Sequence, residues 1–216
     1  AGNINDFANS IRAMRRHEIE RIGLAWMSGV IDDEASLAGM TDVYDAAIEA
    51  SLQWAIQHRI NDIQIDEAPA AIAIIGMGRY GGREVNFSSD ADVIIIYRPA
   101  EGADDDQANL FARKVQEDLR AILQGPTTFE PKIELDMDLR PEGKNGPLVR
   151  SYASCEEYYR SWASTWEHQA LLRARYAAGD ASLAEDFLMN IADPLRYPKI
   201  DLTETQIAEI RKLKAR

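Results

Sequence analysis

The sequence predicts an α+β protein in which a small mixed sheet is flanked by an N-terminal and a C-terminal helical segment. Apolar residues recur in steps of three and four before residue 61 and again after residue 151, which is typical of amphipathic helices. Short apolar runs and one alternating segment lie between them and indicate strands. We therefore divide the chain into a helical segment 1–66, a core 67–150 and a helical segment 151–216.

The composition limits the classes of partner. The 216 residues are 46% hydrophobic and 28% charged, as in globular proteins. The net charge of -12 disfavours nucleic acid as a partner, since binding it relies on clustered Lys and Arg. Because neither a membrane span nor a signal pattern occurs, we expect no membrane partner and a cytoplasmic location. The single cysteine, Cys155, is expected to be a buried structural thiol.

Residues 5–60 are predicted to form helices, with residues 29–39 separating two periodic runs. The first run carries several arginines, and a solvated helix face is the simplest interpretation of them. They are Arg12, Arg15, Arg16 and Arg21.

Two acidic residues open the second of two predicted strands, which cover about 70–76 and 92–97. Side chains alternate along a strand, so Asp90 and Asp92 are expected to project to the same side. Two such carboxylates repel each other unless a cation lies between them. Hard divalent ions such as Mg²⁺ take oxygen ligands and bring substrate phosphates with them.

A glycine-rich turn joins these two strands. Its glycines allow positive φ and a close approach of the backbone to an anion, so the exposed amides could hold a phosphate. The turn lacks both the Lys-Ser/Thr pair of a P-loop and a clean G-x-G-x-x-G, which disfavours those two nucleotide sites. An ordinary strand-to-helix turn is the alternative, and the adjacent Asp-x-Asp favours the phosphate site. The glycines are Gly76, Gly78, Gly81 and Gly82.

After a predicted helix at about 105–123, residues 133–139 alternate strictly between apolar and acidic. If this strand neighbours the Asp90 strand, its acidic face supplies the third carboxylate of a two-metal site. The following loop, 140–147, carries Arg140 and Lys144, which are placed to meet triphosphate oxygens. A surface turn is the alternative for Lys144.

The last third of the chain is predicted to be helical. Capping boxes begin at Ser154, Ser164 and Thr203, and Gly179 is expected to end one helix. An aromatic stripe in this region is expected to pack in the core, and His168 to be a structural residue. The stripe consists of Tyr158, Trp162 and Trp166.

Three segments, GMGRYGGREVNFSSDADV, ELDMDLRPEGKNGPLV and TWEHQALLRARYAAGD, resemble motifs of the glutamine synthetase adenylyltransferase family. The glycine turn and acidic pair also resemble the wider DNA polymerase beta-like nucleotidyltransferases. The resemblance implies that Asp136 is the third metal ligand beside Asp90 and Asp92, and that Ser89 joins the nucleotide site. Asp138 stands where many members carry arginine.

The same resemblance implies a catalysed reaction. A tyrosine hydroxyl of glutamine synthetase attacks the α-phosphate of ATP with two Mg²⁺ ions, pyrophosphate leaves, and glutamine synthetase activity falls. Besides glutamine synthetase and ATP, a nitrogen-signalling regulatory protein is a further implied partner. Family members carry two nucleotidyltransferase halves, and this chain is expected to be one half, the C-terminal adenylylating one, with its helical end truncated.

Two alternatives stay open. The other half removes AMP from the modified tyrosine with inorganic phosphate and releases ADP. The segment GGREVNFSSD resembles that half, whereas the longer segments RPEGKNGPLV and TWEHQALLRARYAAGD resemble the adding half. A regulatory module that binds nucleotide without turnover is disfavoured, because three acids in one site are costly without a metal.

Overall fold

The computed structural model describes residues 3–126, 132–199 and 203–214. Within these ranges the strands are β1 Ala70–Gly76, β2 Ala91–Pro99, β3 Leu135–Asp136, β4 Val149–Ser151 and β5 Arg175–Gly179. The α-helices are α1 Ile4–Met27, α2 Asp33–Asp62, α3 Gly78–Gly81, α4 Asp105–Gln124, α5 Tyr152–Ser161, α6 Thr165–Ala170, α7 Ala181–Phe187, α8 Asp193–Arg196 and α9 Glu204–Lys214. Short 3-10 turns lie at Gly143–Asn145 and Leu171–Arg173, and a π-helical turn at Leu188–Ala192.

The strands form one mixed sheet in the order β3-β2-β1-β5, with β4 also pairing with β2. The central pair is antiparallel and runs from Ala70 opposite Pro99 to Gly76 opposite Val93. Strand β5 is antiparallel to β1, whereas β3 and β4 are parallel to β2. The predicted α+β class with a small mixed sheet and flanking helices is confirmed.

Helices cover both faces of the sheet. Ile72 and Ile74 of β1 belong to a core shared with α2 and α4, whereas Ala73 and Ile75 pack with residues of α5 and α7. A strand buried on both faces has an almost continuous apolar sequence, which is why the β1 pattern does not alternate. The division into segments 1–66, 67–150 and 151–216 stays a prediction.

Helix α2 begins earlier than the sequence pattern predicted. The carboxylate of Asp32 accepts a hydrogen bond from the Ala35 amide at 2.8 Å and so caps the helix at Asp33. The separator between the first two helices is therefore much shorter than the predicted range 29–39. Gly39 lies inside α2.

The arginines of α1 are not simply a solvated face, which corrects the prediction for two of them. Arg15 is buried, and Arg12 donates hydrogen bonds to the carbonyls of Ile122, Gly125 and Pro126. These carbonyls lie at the C-terminal end of α4, where a helix has unpaired acceptors and a negative dipole end. Arg12 therefore anchors α1 to α4.

The acidic strand is shorter than predicted, although its burial alternates as expected. Only Leu135 and Asp136 pair with β2. The Asp138 amide then donates to the Asp136 carboxylate at 2.7 Å, and the Arg140 amide to the Met137 carbonyl at 3.1 Å. An Asp side chain that bonds the backbone two residues on starts a turn, and here it takes the chain away from the sheet.

The prediction that residues 151–179 are helical throughout was wrong. Strand β4 precedes α5, and β5 pairs with β1 where the alanine-rich sequence had indicated helix. Tertiary pairing thus overrides local helix propensity. Gly179 does not end a helix: it has φ +88 at the end of β5, and its amide donates to the Glu49 carboxylate at 2.7 Å.

The helix starts in this region are partly as predicted. The boxes at Ser164 and Thr203 are present, whereas α5 is capped by Ser151 and not by Ser154. The helix predicted after Thr203 is described to Lys214, and residues 215–216 lie outside the described ranges.

The core assignment of the aromatic stripe was wrong for two of its three residues, whereas Tyr158 packs against the core as predicted. Trp162 is 75% exposed and Trp166 is also exposed, because α5 ends at Ser161 and the helical spacing breaks there. Cys155 is buried as predicted, and burial raises the pKa of its thiol to about 12. No helix in the described part of the chain is long and apolar enough to cross a membrane.

Strand β5 also fixes the glycine turn by close backbone contact. The turn preceding β5 places the Arg173 carbonyl so close to Gly81 that a Cβ added there would lie 2.1 Å from its oxygen. The same Cβ would lie 2.6 Å from the Gly76 carbonyl oxygen. Both neighbours are backbone atoms, which cannot move aside as a side chain would.

We expect Gly81→Ala to lower the free energy of unfolding by about 3 kcal/mol, because it overpacks this contact. The control is Gly23→Ala in α1, where the added Cβ meets the Phe87 ring at an ordinary 3.5 Å. Alanine is a better helix former, so this variant should gain about 0.5–1 kcal/mol. Urea unfolding of both variants measures the difference, and equal stabilities would contradict the assigned contact.

Candidate active site

The three predicted acids lie at one end of the sheet. Asp92 of β2 is directly opposite Asp136 of β3 in the parallel pairing, and Asp90 immediately precedes β2. The Ala91 amide donates to the Glu134 carbonyl at 2.7 Å, which fixes the start of β2 against the chain entering β3. The sheet thus brings together acids that are more than forty residues apart in the sequence.

Asp92 has the most perturbed environment of the three acids. Burial, followed by the negative charges of Asp90 and Asp136, raises its pKa from 3.8 to about 6. A hydrogen bond from the Arg79 amide and the positive charge of that side chain act in the opposite direction. A carboxylate whose charge is opposed by like charges is the arrangement that a bound cation relieves.

The glycine turn is built around Asp92. Gly78 has φ +52, and a Cβ at this position would lie 2.2 Å from Oδ2 of Asp92. The Met77 amide also donates to the Asp92 carbonyl at 2.8 Å. Gly78 is therefore required both by its backbone conformation and by the carboxylate against it.

The other three glycines of the turn are explained by packing, and none of them has positive φ. A Cβ on Gly76 would meet the Tyr80 ring at 3.2 Å, and one on Gly82 would meet Nη1 of Arg173 at 2.9 Å. Gly81 approaches backbone atoms as described above. The contact of these glycines with a nucleotide stays a prediction. Positive φ was expected along the whole turn, but of its four glycines only Gly78 has it.

Ser89 belongs to a tight turn just before the acids. Its hydroxyl accepts from the Asn86 amide at 3.1 Å and donates to the Asn86 side-chain oxygen at 3.1 Å. The Tyr44 hydroxyl of α2 donates to the Ser89 carbonyl at 2.8 Å. Burial raises the pKa of Tyr44, the Arg15 guanidinium lowers it, and the charge of Asp90 raises it further.

Tyr44 and Arg15 were not predicted as neighbours of the site. They lie on helices α1 and α2, and only the packing of those helices brings them to the Asp90 segment. No sequence signal connects positions that are 45 residues or more apart. Arg79, also missed, had a signal: it directly follows Gly78 and places an exposed cation beside Asp92.

Arg140 supports its own loop. It is only 6% exposed, and it donates to the carbonyls of Gly146 at 2.9 Å, Met137 at 2.7 Å and Lys144 at 3.0 Å. Its predicted contact with a triphosphate is untested, and in this conformation most of its donors serve the loop. The loop contains a 3-10 turn at Gly143–Asn145, and about half of its residues are exposed.

Lys144 is the accessible cation of this loop. Its side chain is 82% exposed, and its Nζ lies 3.1 Å from Asp138. Asp138 is also 3.6 Å from Arg140, so it points to the cations of the loop. Lys144 is free to exchange this exposed ion pair for a phosphate group, because such pairs are weak.

A buried glutamate holds the loop against α6. Glu167 is 2% exposed; one of its carboxylate oxygens accepts from the Tyr158 hydroxyl at 2.8 Å and from the Glu142 amide at 3.3 Å. The other oxygen accepts from the amide and hydroxyl of Ser164. The capping box that the sequence predicted therefore also anchors the Lys144 loop.

Two arginines, at β5 and in the turn that precedes it, contact the glycine turn. Arg175 donates to the Tyr80 carbonyl at 3.1 Å and to the Asp45 carboxylate at 2.8 Å. Arg173 pairs with Glu84 at 2.5 Å. These residues belong to the segment TWEHQALLRARYAAGD, whose individual roles the sequence did not reveal, and the structure assigns them to supporting the turn.

The donor chemistry of the acids fits a hard divalent cation, since all their ligand atoms are carboxylate oxygens. Asp92 and Asp136 are partners in the pairing of β2 with β3, and burial and the neighbouring negative charges already raise the pKa of Asp92. In the conformation described for residues 3–126, 132–199 and 203–214, no three acidic, His or Cys side chains are grouped closely enough to hold a metal ion. Asp136 uses one oxygen for the Asp138 amide.

Comparison with known proteins places the chain among adenylyltransferases. The family model described as "Glutamate-ammonia ligase adenylyltransferase" matches residues 3–190. A Bifidobacterium longum (strain DJO10A) protein, "Bifunctional glutamine synthetase adenylyltransferase/adenylyl-removing enzyme", is 77% identical over 214 residues, which are 99% of this chain and 20% of the relative. A Mycobacterium tuberculosis (strain CDC 1551 / Oshkosh) protein of the same name is 45% identical over 95% of this chain and 20% of its own length.

The chain spans about one fifth of the length of the curated relatives it matches. The family match covers the glycine turn, all three acids and the segment that supports them. The chain therefore belongs to the glutamate-ammonia ligase adenylyltransferase family, as its three sequence motifs indicated.

Proposed function

We propose that the acidic end of the sheet transfers AMP from ATP to a tyrosine hydroxyl of glutamine synthetase and releases pyrophosphate, which lowers glutamine synthetase activity. The observation that supports this proposal most is the environment of Asp92. Its carboxylate lies against Gly78, and burial and the negative charges of Asp90 and Asp136 disfavour its charged form. Three acids beside a tight turn are the arrangement that metal-assisted phosphoryl chemistry uses.

In this proposal Asp90, Asp92 and Asp136 hold two Mg²⁺ ions. When bound, Mg²⁺ neutralises triphosphate charge and lowers the pKa of the attacking hydroxyl. Asp90 is exposed and Asp136 needs only to release the Asp138 amide, so side-chain rotation would complete the ligand set. Asp92 is half-buried, and the missing Cβ of Gly78 leaves the room that its carboxylate occupies.

The remaining residues of the proposed site bind and orient the nucleotide. The exposed cations Arg79 and Lys144 are the side chains most available to the triphosphate, while the turn from Gly76 to Gly82 shapes the floor of the site. The tyrosine oxygen forms a bond to the α-phosphorus as the bond to the pyrophosphate oxygen breaks. Rate enhancement comes from positioning and charge neutralisation.

Removal of AMP from modified glutamine synthetase is the second candidate. There an oxygen of inorganic phosphate attacks the same phosphorus, and ADP and free tyrosine leave. Two observations favour it: GGREVNFSSD resembles the removing half, and Arg140 serves its loop, which leaves that loop fewer cations for a triphosphate. The names of the two relatives include both activities.

The direction of the reaction is tested by mixing the chain with unmodified or adenylylated glutamine synthetase, ATP, phosphate and Mg²⁺. We expect the unmodified enzyme to gain the mass of AMP without any need for phosphate, and pyrophosphate to appear. Phosphate-dependent release of ADP from the modified enzyme, with no transfer from ATP, would establish the second candidate. Mg²⁺-dependent ATP binding on the same sample separates a failed site from failed docking of glutamine synthetase.

Asp92→Asn should lower the rate of AMP transfer by at least about 100-fold. Loss of a residue that only supports a metal ligand costs up to about 100-fold, and loss of a ligand itself should cost at least as much. The matched control is Asp138→Asn, which removes an acid of the same region that faces Lys144. Its activity should stay within about fivefold of the parent chain, since an exposed ion pair contributes at most about 1 kcal/mol. Equal losses in both variants, measured by initial rates, would contradict the assigned role of Asp92.

Stability should report on Asp92 independently of turnover. Its pKa is about 6 in the folded chain against an ordinary 3.8, so the folded state binds this proton more tightly. The stability that this proton contributes is complete below about pH 3.8 and is lost as the pH rises through 6. Asp92→Asn should therefore raise the melting temperature at pH 8 and give little gain at pH 4.

Added Mg²⁺ at pH 8 should raise the melting temperature of the parent chain more than that of Asp92→Asn, because a ligand that binds only the folded state stabilises it. Thermal melts followed by circular dichroism measure both effects. A variant less stable than the parent at pH 8 would show that burial and the neighbouring acids do not destabilise the charged Asp92 side chain.

A further inference from the structure

A cavity of about 600 Å³ lies between α4 and the segment that leads into β4. Pro147, Leu148 and Val149 form its apolar wall, and one face of α4 forms the opposite wall. Strand β4 pairs with residues 95–97 of β2, whereas the acids lie at residues 90–92. The cavity is therefore separate from the proposed catalytic centre.

A buried polar group in this cavity has no partner. Gln116 lines the cavity and is only 4% exposed, and its Nε2 makes no hydrogen bond within the described part of the chain. A buried amide donor without an acceptor is costly, and each such group in a native protein calls for an explanation. An oxygen acceptor of a bound molecule would supply one.

Two arginines flank Gln116 on the same face of α4. Arg113 and Arg120 both line the cavity and are seven residues apart, which is about 10.5 Å along a helix. Among the described residues Arg113 has no hydrogen bond or ion pair, although, after the larger effect of Lys114, its charge helps to lower the pKa of Glu117. Arg120 uses its Nε for the Gln124 side chain at 2.8 Å, which leaves its two terminal nitrogens as donors.

The acidic residue of this wall is already paired. Glu117 lies 2.7 Å from Lys114 Nζ, and this contact offsets its charge. The groups left to meet a ligand are two guanidinium groups at the ends and one amide donor between them. They require a molecule with an anionic oxygen group at each end, although the whole chain is acidic.

We propose that this cavity binds a short organic dicarboxylate. Its two carboxylates pair with Arg113 and Arg120, one oxygen accepts from Gln116, and its carbon chain lies on Leu148 and Val149. Planar guanidinium groups match carboxylates with two parallel hydrogen bonds. The volume lies within the range of small-molecule sites. The proposal does not depend on the proposed function.

Calorimetric titration of the 216-residue chain with adipate tests the proposal, with its uncharged diamide and inorganic phosphate as comparison ligands. We expect saturable 1:1 binding of adipate, at least tenfold weaker binding of the diamide, and weak binding of phosphate. Arg113→Gln and Arg120→Gln should each weaken adipate binding at least tenfold. The matched control is Arg160→Gln in α5, which changes the net charge equally at an exposed position that does not line the cavity.

Gln116→Leu gives a second readout. It should weaken adipate binding and raise the melting temperature, because it removes an unpaired buried amide. The absence of saturable adipate binding would overturn the proposal, and so would an equal effect of Arg160→Gln and Arg113→Gln. Phosphate binding as tight as adipate would refute the dicarboxylate and leave only a general anion site.

Discussion

The contact between the Asp92 carboxylate and Gly78 is the constraint on which this end of the molecule depends. The carboxylate lies where the Cβ of any other residue at position 78 would be, and the turn keeps positive φ there. The Met77 amide ties the turn to the Asp92 backbone. Strand, turn and acid are thereby packed together, so any side chain at position 78 would collide with the Asp92 carboxylate.

A second layer of contacts supports this unit from the C-terminal third of the chain. Strand β5 extends the sheet beyond β1, Arg173 packs its carbonyl on Gly81, and Arg175 bonds the Tyr80 carbonyl. Glu167 supports the Lys144 loop by accepting a hydrogen bond from the Glu142 amide. Residues that contact none of the three site acids therefore determine the shape of the candidate site. This support keeps the acids in place although their charges repel each other.

The charge distribution agrees with a site for a small metal-bound anion. The chain carries -12, and burial together with the charges of Asp90 and Asp136 raises the pKa of Asp92. Arg79, whose charge acts on Asp92, is exposed, and so is Lys144, which pairs with Asp138. Such a site favours anions that arrive with bound metal cations. The arginine-lined cavity beside α4 differs, because its own guanidinium groups supply the positive charge.

The family resemblance alone implied Asp136 as a site residue. The sequence patterns by themselves determined the class of the fold, the two central strands and helix α4, and they predicted Asp90 and Asp92 as an acidic pair. These features follow from local patterns, namely hydrophobic periodicity, capping residues and an Asp-x-Asp after a glycine turn. The family resemblance was also fixed by sequence, since the matched motifs are continuous. Only the tertiary structure decided that residues 175–179 form a strand, because their pairing with β1 outweighs a helical alanine-rich pattern. It also decided that Arg140 turns inward and that Tyr44 meets the Asp90 segment, because contacts between distant positions leave no periodic trace in one sequence.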